Sequence, residues 1–178
     1  MDRVRIRKML YIALFAALMA VSAWIAVPTP IPFTLQTFTL FLALMLLGGA
    51  SGTTMSVIYI ALGLVGLPVF AGFGSGAGYL LGASGGFIFS FPIAATLYLL
   101  LEFAFGKGKK RKLIYAAISL VAIYVIGSLW FSLVYSDGKG LLATLAVCVL
   151  PYVIPDAVKL LMAYYVSDRL NDFLNRGK

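Results

Sequence analysis

The sequence contains no histidine and one cysteine, Cys148, and only 11% of its 178 residues are charged. A single cysteine cannot form an internal disulfide, and without histidine the chain lacks the ligands of an ordinary His/Cys metal site. Histidine is also the usual general base in acyl-transfer enzymes, so its absence argues against that class. We therefore expect no metal, no cofactor and no enzymatic activity.

Apolar residues make up 62% of the chain, and the mean hydropathy is +1.03. Soluble domains are about half apolar and a quarter charged. Because the apolar residues form long runs, which are typical of membrane helices, we predict an all-α membrane protein. The second and third of the predicted helices are short for a full crossing. The whole chain, residues 1–178, is expected to be a single domain. The predicted transmembrane helices cover residues 9–27, 35–47, 53–67, 84–105, 113–134 and 141–166.

The basic residues lie in three clusters beside apolar runs, at residues 3–8, 107–112 and 169–178, and only Lys139 and Lys159 fall elsewhere. Cytoplasmic segments of membrane proteins are enriched in lysine and arginine. Six helices bring the three clusters to one side, whereas an odd number would separate them. The charges therefore predict that both termini are cytoplasmic. No polar domain carries a basic face, so nucleic acid is not an expected partner.

Three further features concern the helix ends. The glycine-rich residues 48–52 predict a turn between the second and third helices. Glu102 precedes the basic cluster at 107–112 and is expected to pair with its lysines. Trp24 and Trp130 fall near the outer ends of their helices, as in an aromatic belt.

Two ionisable residues, Asp156 and Lys159, sit near the middle of the sixth predicted helix. Either charge alone costs about 2.5–3.5 kcal/mol at the centre of a membrane helix. Spaced three residues apart, they share a helix face and partly neutralise each other. Pro151 and Pro155 leave nearby backbone carbonyls without helical partners. A structural ion pair is one interpretation; a ligand or ion site is favoured, because charges inside membranes usually mark a transport path.

The two long outer loops predict a ligand pocket that faces outward and is capped by loops. The first loop leads into Gln36, with Thr34 and Thr37 as further hydrogen-bonding side chains. The second is the glycine-rich segment, residues 66–79, where backbone can approach a ligand closely and aromatic rings can form walls. Its predicted ligand-binding residues are Phe70, Phe73, Gly78 and Tyr79. A flexible connector is the alternative interpretation.

Small residues in the first helix form two overlapping pairs, Ala13 with Ala17 and Ala16 with Ala20. Such spacing permits close helix approach within a membrane. Internal packing and docking on a partner protein are both open interpretations.

Taken in order along the chain, four segments resemble the BioY family, the biotin-specific S component of energy-coupling-factor (ECF) vitamin transporters. They are Pro-Ile-Pro-Phe-Thr-Leu-Gln-Thr at 30–37, Gly-Leu-Pro-Val-Phe at 66–70, Gly-Gly-Phe at 85–87 and Pro-Asp-Ala-Val-Lys at 155–159. The resemblance covers nearly the whole chain. It implies a six-helix subunit in a prokaryotic plasma membrane that captures biotin with high affinity. It also implies a transmembrane coupling subunit and ATPase subunits as partners, with the alanine pairs as the docking face.

Biotin has a ureido ring with N–H donors and a carbonyl acceptor, beside an apolar thioether ring and a carboxylated chain. Under the resemblance, Asp156 accepts from the ureido N–H groups while Lys159 donates to the ureido carbonyl, or Lys159 instead meets the carboxylate. Gln36 supplies a further hydrogen bond, and Phe70, Phe73 and Tyr79 enclose the apolar body. An S component for another vitamin, such as thiamine or riboflavin, and a solitary proton-coupled transporter are the alternatives.

Overall fold

The computed structural model describes residues 3–29, 31–135 and 141–176, except for the side chains of 141–143 and 173–176. In these residues the chain is almost entirely helical, with one small sheet. The helices are α1 (Arg3–Trp24), α2 (Gln36–Leu47), α3 (Gly49–Leu64), α4 (Gly76–Leu80), α5 (Gly85–Phe105), α6 (Lys109–Tyr135), α7 (Leu141–Cys148) and α8 (Leu150–Arg176). A short 3-10 turn, Ala71–Phe73, precedes α4.

The sheet is a hairpin of two short strands, β1 (Ala26–Val27) and β2 (Phe33–Thr34), paired antiparallel with Ala26 opposite Thr34. We predicted a purely helical chain with the first helix running to residue 27, so the hairpin corrects that prediction. Strands of two residues leave no alternation to detect in a sequence, and the proline-rich loop concealed them. The hairpin places Thr34 two residues before Gln36, the first residue of α2.

Four helical stretches are long and apolar enough to cross a membrane: α1, α5, α6 and Thr144–Asp172, which joins most of α7 and α8. α2 and α3 are shorter apolar helices. A helix that is apolar on all sides is buried or faces lipid. Large apolar side chains such as Leu133 and Phe103 are exposed along these helices, which is the surface expected for contact with lipid tails.

Several helices extend beyond their predicted ends because hydropathy marks only the apolar part of a helix. α1 begins at Arg3 instead of residue 9, and α6 begins at Lys109 instead of residue 113. Lysine and arginine are good helix formers, so the helices continue through the basic clusters. The sixth predicted helix is divided at Val149 into α7 and α8. Pro151, near the start of α8, cannot donate the hydrogen bond that would continue the helix.

The predicted turn at residues 48–52 is wrong except at Gly48, which has φ +81° and ends α2. α3 begins at once, at Gly49, and the backbone N–H of Gly49 donates to Glu102 Oε2 over 2.8 Å. A side chain at Gly49 would collide with the backbone of Leu99 on α5. The small residues therefore allow close packing of α3 on α5 and do not form an extended turn.

α5 packs between α3 and α6, and α2 packs on α8. The largest buried cluster is built mainly from α1, α2, α3 and α5, with further residues from α6 and α8, and includes Met19, Phe41, Met55 and Tyr98, each almost fully buried. The N-terminal ends of α2 and α5 meet the hairpin and the glycine-rich segment at one end of the bundle. The basic residues at 107–112 lie at the opposite end of α5.

Candidate ligand-binding site

A cavity opens where the hairpin and the starts of α2 and α5 face α6, α7 and α8. Its empty volume is about 600 Å³, including the solvent space at its mouth. Ligand pockets of small molecules are lined mainly by apolar side chains with a few convergent polar groups. The lining residues are Ile31, Pro32, Phe33, Thr34, Gln36, Thr37, Ala71, Tyr79, Ser84, Phe87, Ile88, Phe91, Ile123, Tyr124, Cys148, Tyr152, Asp156 and Lys159.

The charged pair on α8 forms the polar centre of this cavity. Lys159 Nζ lies 2.9 Å from Asp156 Oδ1, and both side chains are only 7% exposed. Residues three apart on a helix lie on one face, which brings the two groups together. The pair turns toward α2 and α6 and is thereby shielded from lipid.

Asp156 accepts two further hydrogen bonds from neighbouring helices. Thr37 Oγ1 donates to Oδ1 over 2.9 Å, and Tyr124 OH donates to Oδ2 over 2.8 Å. An ionised carboxylate has about four acceptor positions. Three are taken by protein donors, so the carboxylate retains one acceptor position, on Oδ2.

The ammonium group of Lys159 contacts a backbone carbonyl and an aromatic ring in addition to the Asp156 carboxylate. Its Nζ donates to the carbonyl oxygen of Thr34 over 2.6 Å and lies 3.7 Å from the centroid of the Phe33 ring. A cation over an aromatic face is attracted by the ring quadrupole. The remaining contact, to Thr37 Oγ1, is long at 3.4 Å, so one N–H of the ammonium is weakly used.

Gln36 enters the cavity at the first turn of α2 and is bonded at both ends of its amide. Thr34 Oγ1 donates to Oε1 over 2.8 Å, and Nε2 donates to Tyr59 OH over 2.7 Å. The Tyr59 hydroxyl in turn donates to the carbonyl oxygen of Val69 over 2.9 Å. A chain of hydrogen bonds thus connects the hairpin, α2, α3 and the glycine-rich segment.

Aromatic rings form much of the remaining wall. Tyr152, one turn before Asp156, stacks on Phe33 at a centroid distance of 6.2 Å and donates its hydroxyl to the carbonyl of Ile31 over 2.6 Å. Tyr79 stacks on Phe70 at 5.1 Å. Burial raises the pKa of Tyr79 above its ordinary value. The cavity therefore combines one ionic, hydrogen-bonding region with flat apolar surfaces.

The described residues contain no group of three or more His, Cys, Asp or Glu side chains that could hold a metal ion. The cavity's polar groups are suited to hydrogen bonding with an organic ligand.

A family model described as the BioY family matches residues 1–176. The chain belongs to the BioY family. The family membership expected from the sequence motifs is thereby confirmed.

Relatives in the BioY family are similar over most of their length. The probable biotin transporter BioY of Pyrococcus horikoshii is 40% identical over 160 residues, covering 89% of this chain and 93% of the relative. The biotin transporter BioY of Thermotoga maritima is 36% identical over 169 residues, covering 92% and 95%. These proteins are named as transporters, in agreement with the expectation that this chain is not an enzyme.

A solved structure of the S component for biotin from an ECF-type ABC transporter matches with a TM-score of 0.84 and 24% identity, covering 97% of this chain and 94% of that one. A second, of the S component of a bacterial ECF transporter, matches with a TM-score of 0.64 and 16% identity, covering 96% and 98%. At these identities the match shows the fold. This BioY chain is therefore a helical membrane protein with the S-component fold.

The structure brings four of the predicted ligand-binding residues into the cavity: Gln36, Tyr79, Asp156 and Lys159. The other three do not line it. Phe70 is fully buried beneath Tyr79, Phe73 is 63% exposed and stacks on Trp24, and Gly78 is exposed. Aromatic residues in a loop cannot be assigned to a cavity, a core or a surface without knowing what covers them.

The alanine pairs on α1 differ in their surroundings. Ala16 and Ala20 are buried within the protein, whereas Ala13 and Ala17 are exposed. Only the exposed pair is available to a partner, and the buried pair serves internal packing of α1 on α2 and α3.

Sequence reasoning missed three aromatic residues with roles in the cavity: Phe33, Tyr124 and Tyr152. Tyr152 stands four residues before Asp156 and so shares its helix face, a spacing that was available as a signal. Tyr124 places a hydroxyl group in the middle of the apolar α6, which also indicates a polar partner. Nothing in the sequence indicated that Phe33 lies beside Lys159.

Proposed function

We propose that this protein is the biotin-binding S component of an ECF importer. It binds biotin with high affinity in the cavity and delivers it across a prokaryotic plasma membrane with a coupling subunit and ATPase subunits. The observation that carries the proposal is the buried Asp156–Lys159 pair in a cavity of a BioY chain that is otherwise lined mainly by uncharged apolar and aromatic side chains. The relatives named above as biotin transporters support the choice of ligand.

The chemistry of the cavity matches the chemistry of biotin. The ureido N–H groups need acceptors, and Asp156 keeps one free acceptor position. The ureido carbonyl and the carboxylate need donors, which Lys159 and Gln36 supply. Phe33, Tyr152 and the other rings offer flat apolar contact to the thioether ring and chain.

Two poses remain as alternatives, and they predict different dependence on the carboxylate of the ligand. If Lys159 contacts the carboxylate, the wild type binds biotinamide more weakly than biotin. The Lys159→Met variant then binds biotinamide as well as the wild type does. If Lys159 and Asp156 hold the ureido ring, biotin and biotinamide bind similarly, and both are weakened by Lys159→Met. Calorimetric titration of the two ligands into both proteins separates the poses.

The proposed topology has six crossings in one domain over residues 1–178, with both termini cytoplasmic and the cavity facing outward. α2 and α3 are short, but their junction at Gly48 lies beside Glu102 and Lys112, at the basic end of the bundle. Their other ends lie at the cavity, where Gln36 and Tyr59 meet. This supports α2 and α3 as crossings alongside the four long stretches.

Energy for transport must come from partners under this proposal. The sequence contains no Gly-x-x-x-x-Gly-Lys-Ser/Thr motif, the phosphate-binding loop of many ATPases. The exposed Ala13 and Ala17 on α1 are the proposed contact with the coupling subunit.

The decisive experiment is calorimetric titration of biotin into the purified protein in detergent, with thiamine and riboflavin as controls. We expect tight binding of biotin at close to one molecule per chain and no heat from the other vitamins. Folded protein that does not bind biotin would overturn the proposal. Binding of thiamine or riboflavin in its place would identify an S component for another vitamin.

A further inference from the structure

Gln36 is anchored by a buried residue that does not itself line the cavity. Tyr59, on α3, is fully buried, and its hydroxyl is bonded to Gln36 Nε2 on one side and to the carbonyl oxygen of Val69 on the other. Thr34 holds the opposite end of the amide. The three side chains are each at most 9% exposed.

The donor in each of these hydrogen bonds, from Thr34 through Gln36 and Tyr59 to Val69, follows from the bond at Val69. A carbonyl oxygen only accepts, so the Tyr59 hydroxyl must donate to Val69. Its oxygen is then left to accept, and only the NH₂ end of the Gln36 amide can donate to it. Oε1 must therefore face Thr34, whose hydroxyl donates. A flipped amide would place Oε1 against the Tyr59 oxygen, with no proton between them.

We propose that Tyr59 is a positioning residue for ligand binding, which fixes the orientation of the Gln36 amide. The inference rests on the proposed function. With two of its four hydrogen-bonding positions used by Tyr59 and Thr34, Gln36 presents one defined N–H and one defined lone pair to the ligand. A ligand group that faces the free N–H of Gln36 must therefore accept a hydrogen bond, and one that faces the free lone pair must donate one.

A purely structural role for Tyr59 is the competing explanation. Its ring packs edge-on against Phe70 at 5.6 Å, and Phe70 stacks on Tyr79 of the cavity wall. Tyr59→Phe keeps this ring contact and removes only the hydroxyl. The test therefore has to separate the effect of the Tyr59 hydroxyl on Gln36 from the effect of its hydrogen bond to the carbonyl oxygen of Val69.

The experiment is a double-mutant cycle of Tyr59→Phe and Gln36→Leu, with the affinities for biotin and 2-iminobiotin measured by calorimetry. In 2-iminobiotin an imine nitrogen replaces the ureido carbonyl oxygen, which alters the pattern of donors and acceptors. We expect Tyr59→Phe to weaken biotin binding about tenfold, the effect of roughly one hydrogen bond. We also expect it to reduce the preference for biotin over 2-iminobiotin. In the Gln36→Leu background it should change affinity by less than about twofold, because the two residues act as a unit.

Two further variants keep the test decisive. Thr34→Val removes the other anchor of the amide while leaving the bond to Val69 intact, and it should also lower the preference for biotin. Tyr165→Phe, at an exposed tyrosine far along α8, should leave both affinities unchanged. If Tyr59→Phe unfolds too readily for calorimetry, the rise in Tm on adding each ligand still reports binding.

The outcomes separate this inference from the proposed function. Wild-type protein that binds no biotin overturns the proposed function. Two results overturn the positioning role alone, provided that the wild type binds biotin. In the first, Tyr59→Phe has the same affinities as the wild type. In the second, Tyr59→Phe weakens binding by the same factor in the Gln36→Leu background as in the wild type.

Discussion

The charged pair on α8 has most of its hydrogen-bonding needs met within the protein itself. Burying an ion costs several kcal/mol even after the surroundings relax, and this is offset only by close partners. Asp156 has Lys159, Thr37 and Tyr124, while Lys159 adds the Thr34 carbonyl and the Phe33 ring. The structural and ligand-binding interpretations of the pair therefore do not exclude each other. The pair organises the cavity, and its unused positions remain for a ligand.

Asp156→Asn tests the ligand-binding part of this role. The change keeps the shape of the side chain but leaves Lys159 buried without its counter-charge, which costs about 3–5 kcal/mol for pairs of this kind. We expect biotin affinity to fall about 100-fold or more and Tm to decrease, by calorimetry and thermal unfolding. Asp168→Asn, which breaks the partly exposed ion pair with Lys109, is the matched control and should alter neither. Undiminished biotin affinity in Asp156→Asn would contradict the role.

Phe33 and Phe73 form a matched pair of phenylalanines, one in the cavity and one outside it. Phe33→Ala removes the ring beneath Lys159 and beside Tyr152, so we expect biotin binding to weaken by about tenfold. Phe73→Ala and Gly78→Ala change exposed positions and should alter affinity by less than about twofold. Titration of the three variants checks this. A loss in Phe73→Ala as large as that in Phe33→Ala would place Phe73 itself in contact with the ligand.

Some site residues could be predicted from the sequence because their chemistry is costly in a membrane. Asp156 and Lys159 stood out as charges within an apolar helix, and Gln36 as an amide beside a proline-rich loop. Phe70 and Phe73 carry no such cost, and each is satisfied by an apolar neighbour, Tyr79 or Trp24. Their positions depend on contacts between distant segments, which a single sequence does not contain.

At the scale of elements, the corner between α2 and α3 is held by two charges of opposite sign. Lys112 Nζ donates to the carbonyl oxygen of Met45, near the C-terminal end of α2, over 2.7 Å. Glu102 accepts from the first residue of α3. The end of a helix carries partial negative charge and its start partial positive charge, so both contacts are favourable. We expected Glu102 to pair with the basic cluster; instead its carboxylate caps α3.

Glu102→Ala tests whether this cap stabilises the corner. Loss of the carboxylate leaves the buried Gly49 N–H without its acceptor, so we expect about 2 kcal/mol of lost stability and a lower Tm. Glu102→Gln keeps an acceptor oxygen and should fall between the wild type and Glu102→Ala. Asp172→Ala, at an exposed acidic residue of α8, is the control. Equal Tm values for all four proteins would show that the cap contributes nothing.

The elements themselves were predictable where apolar runs were long, as in α5, whose end at Phe105 agrees with the predicted end of the fourth helix. The division of the sixth helix at Val149 and the hairpin were not, because each depends on one or two residues. The glycines before α3 were ambiguous in sequence. A glycine permits both a turn and the close approach of two helices, and only the position of Leu99 decides between them.

For the molecule as a whole, the exposed alanines of α1 predict where a partner helix would dock. Small residues allow close approach of helices in a membrane, so bulky side chains there should block it. We expect Ala13→Phe with Ala17→Phe to abolish ATP-dependent biotin uptake by protein reconstituted with the proposed coupling and ATPase subunits, while biotin binding by the isolated protein is retained. Ala117→Phe, at an exposed alanine of α6, is the control. Normal uptake by the α1 double variant would exclude this face as the contact.

The predicted orientation of the molecule in the membrane rests on the difference between its two ends. The cavity lies at one end of the bundle, and the basic cluster at 107–112 lies at the other, next to the corner of α2 and α3. Basic segments stay in the cytoplasm, so the cavity is expected to face outward. Single cysteines at positions 5, 50, 110 and 139, introduced into Cys148→Ala protein, test this prediction. A membrane-impermeant maleimide should label only position 139 in intact cells and the other three after permeabilisation. Labelling of position 50 from outside would mean that α2 and α3 do not cross the membrane, and labelling of position 110 from outside would reverse the orientation of the cavity.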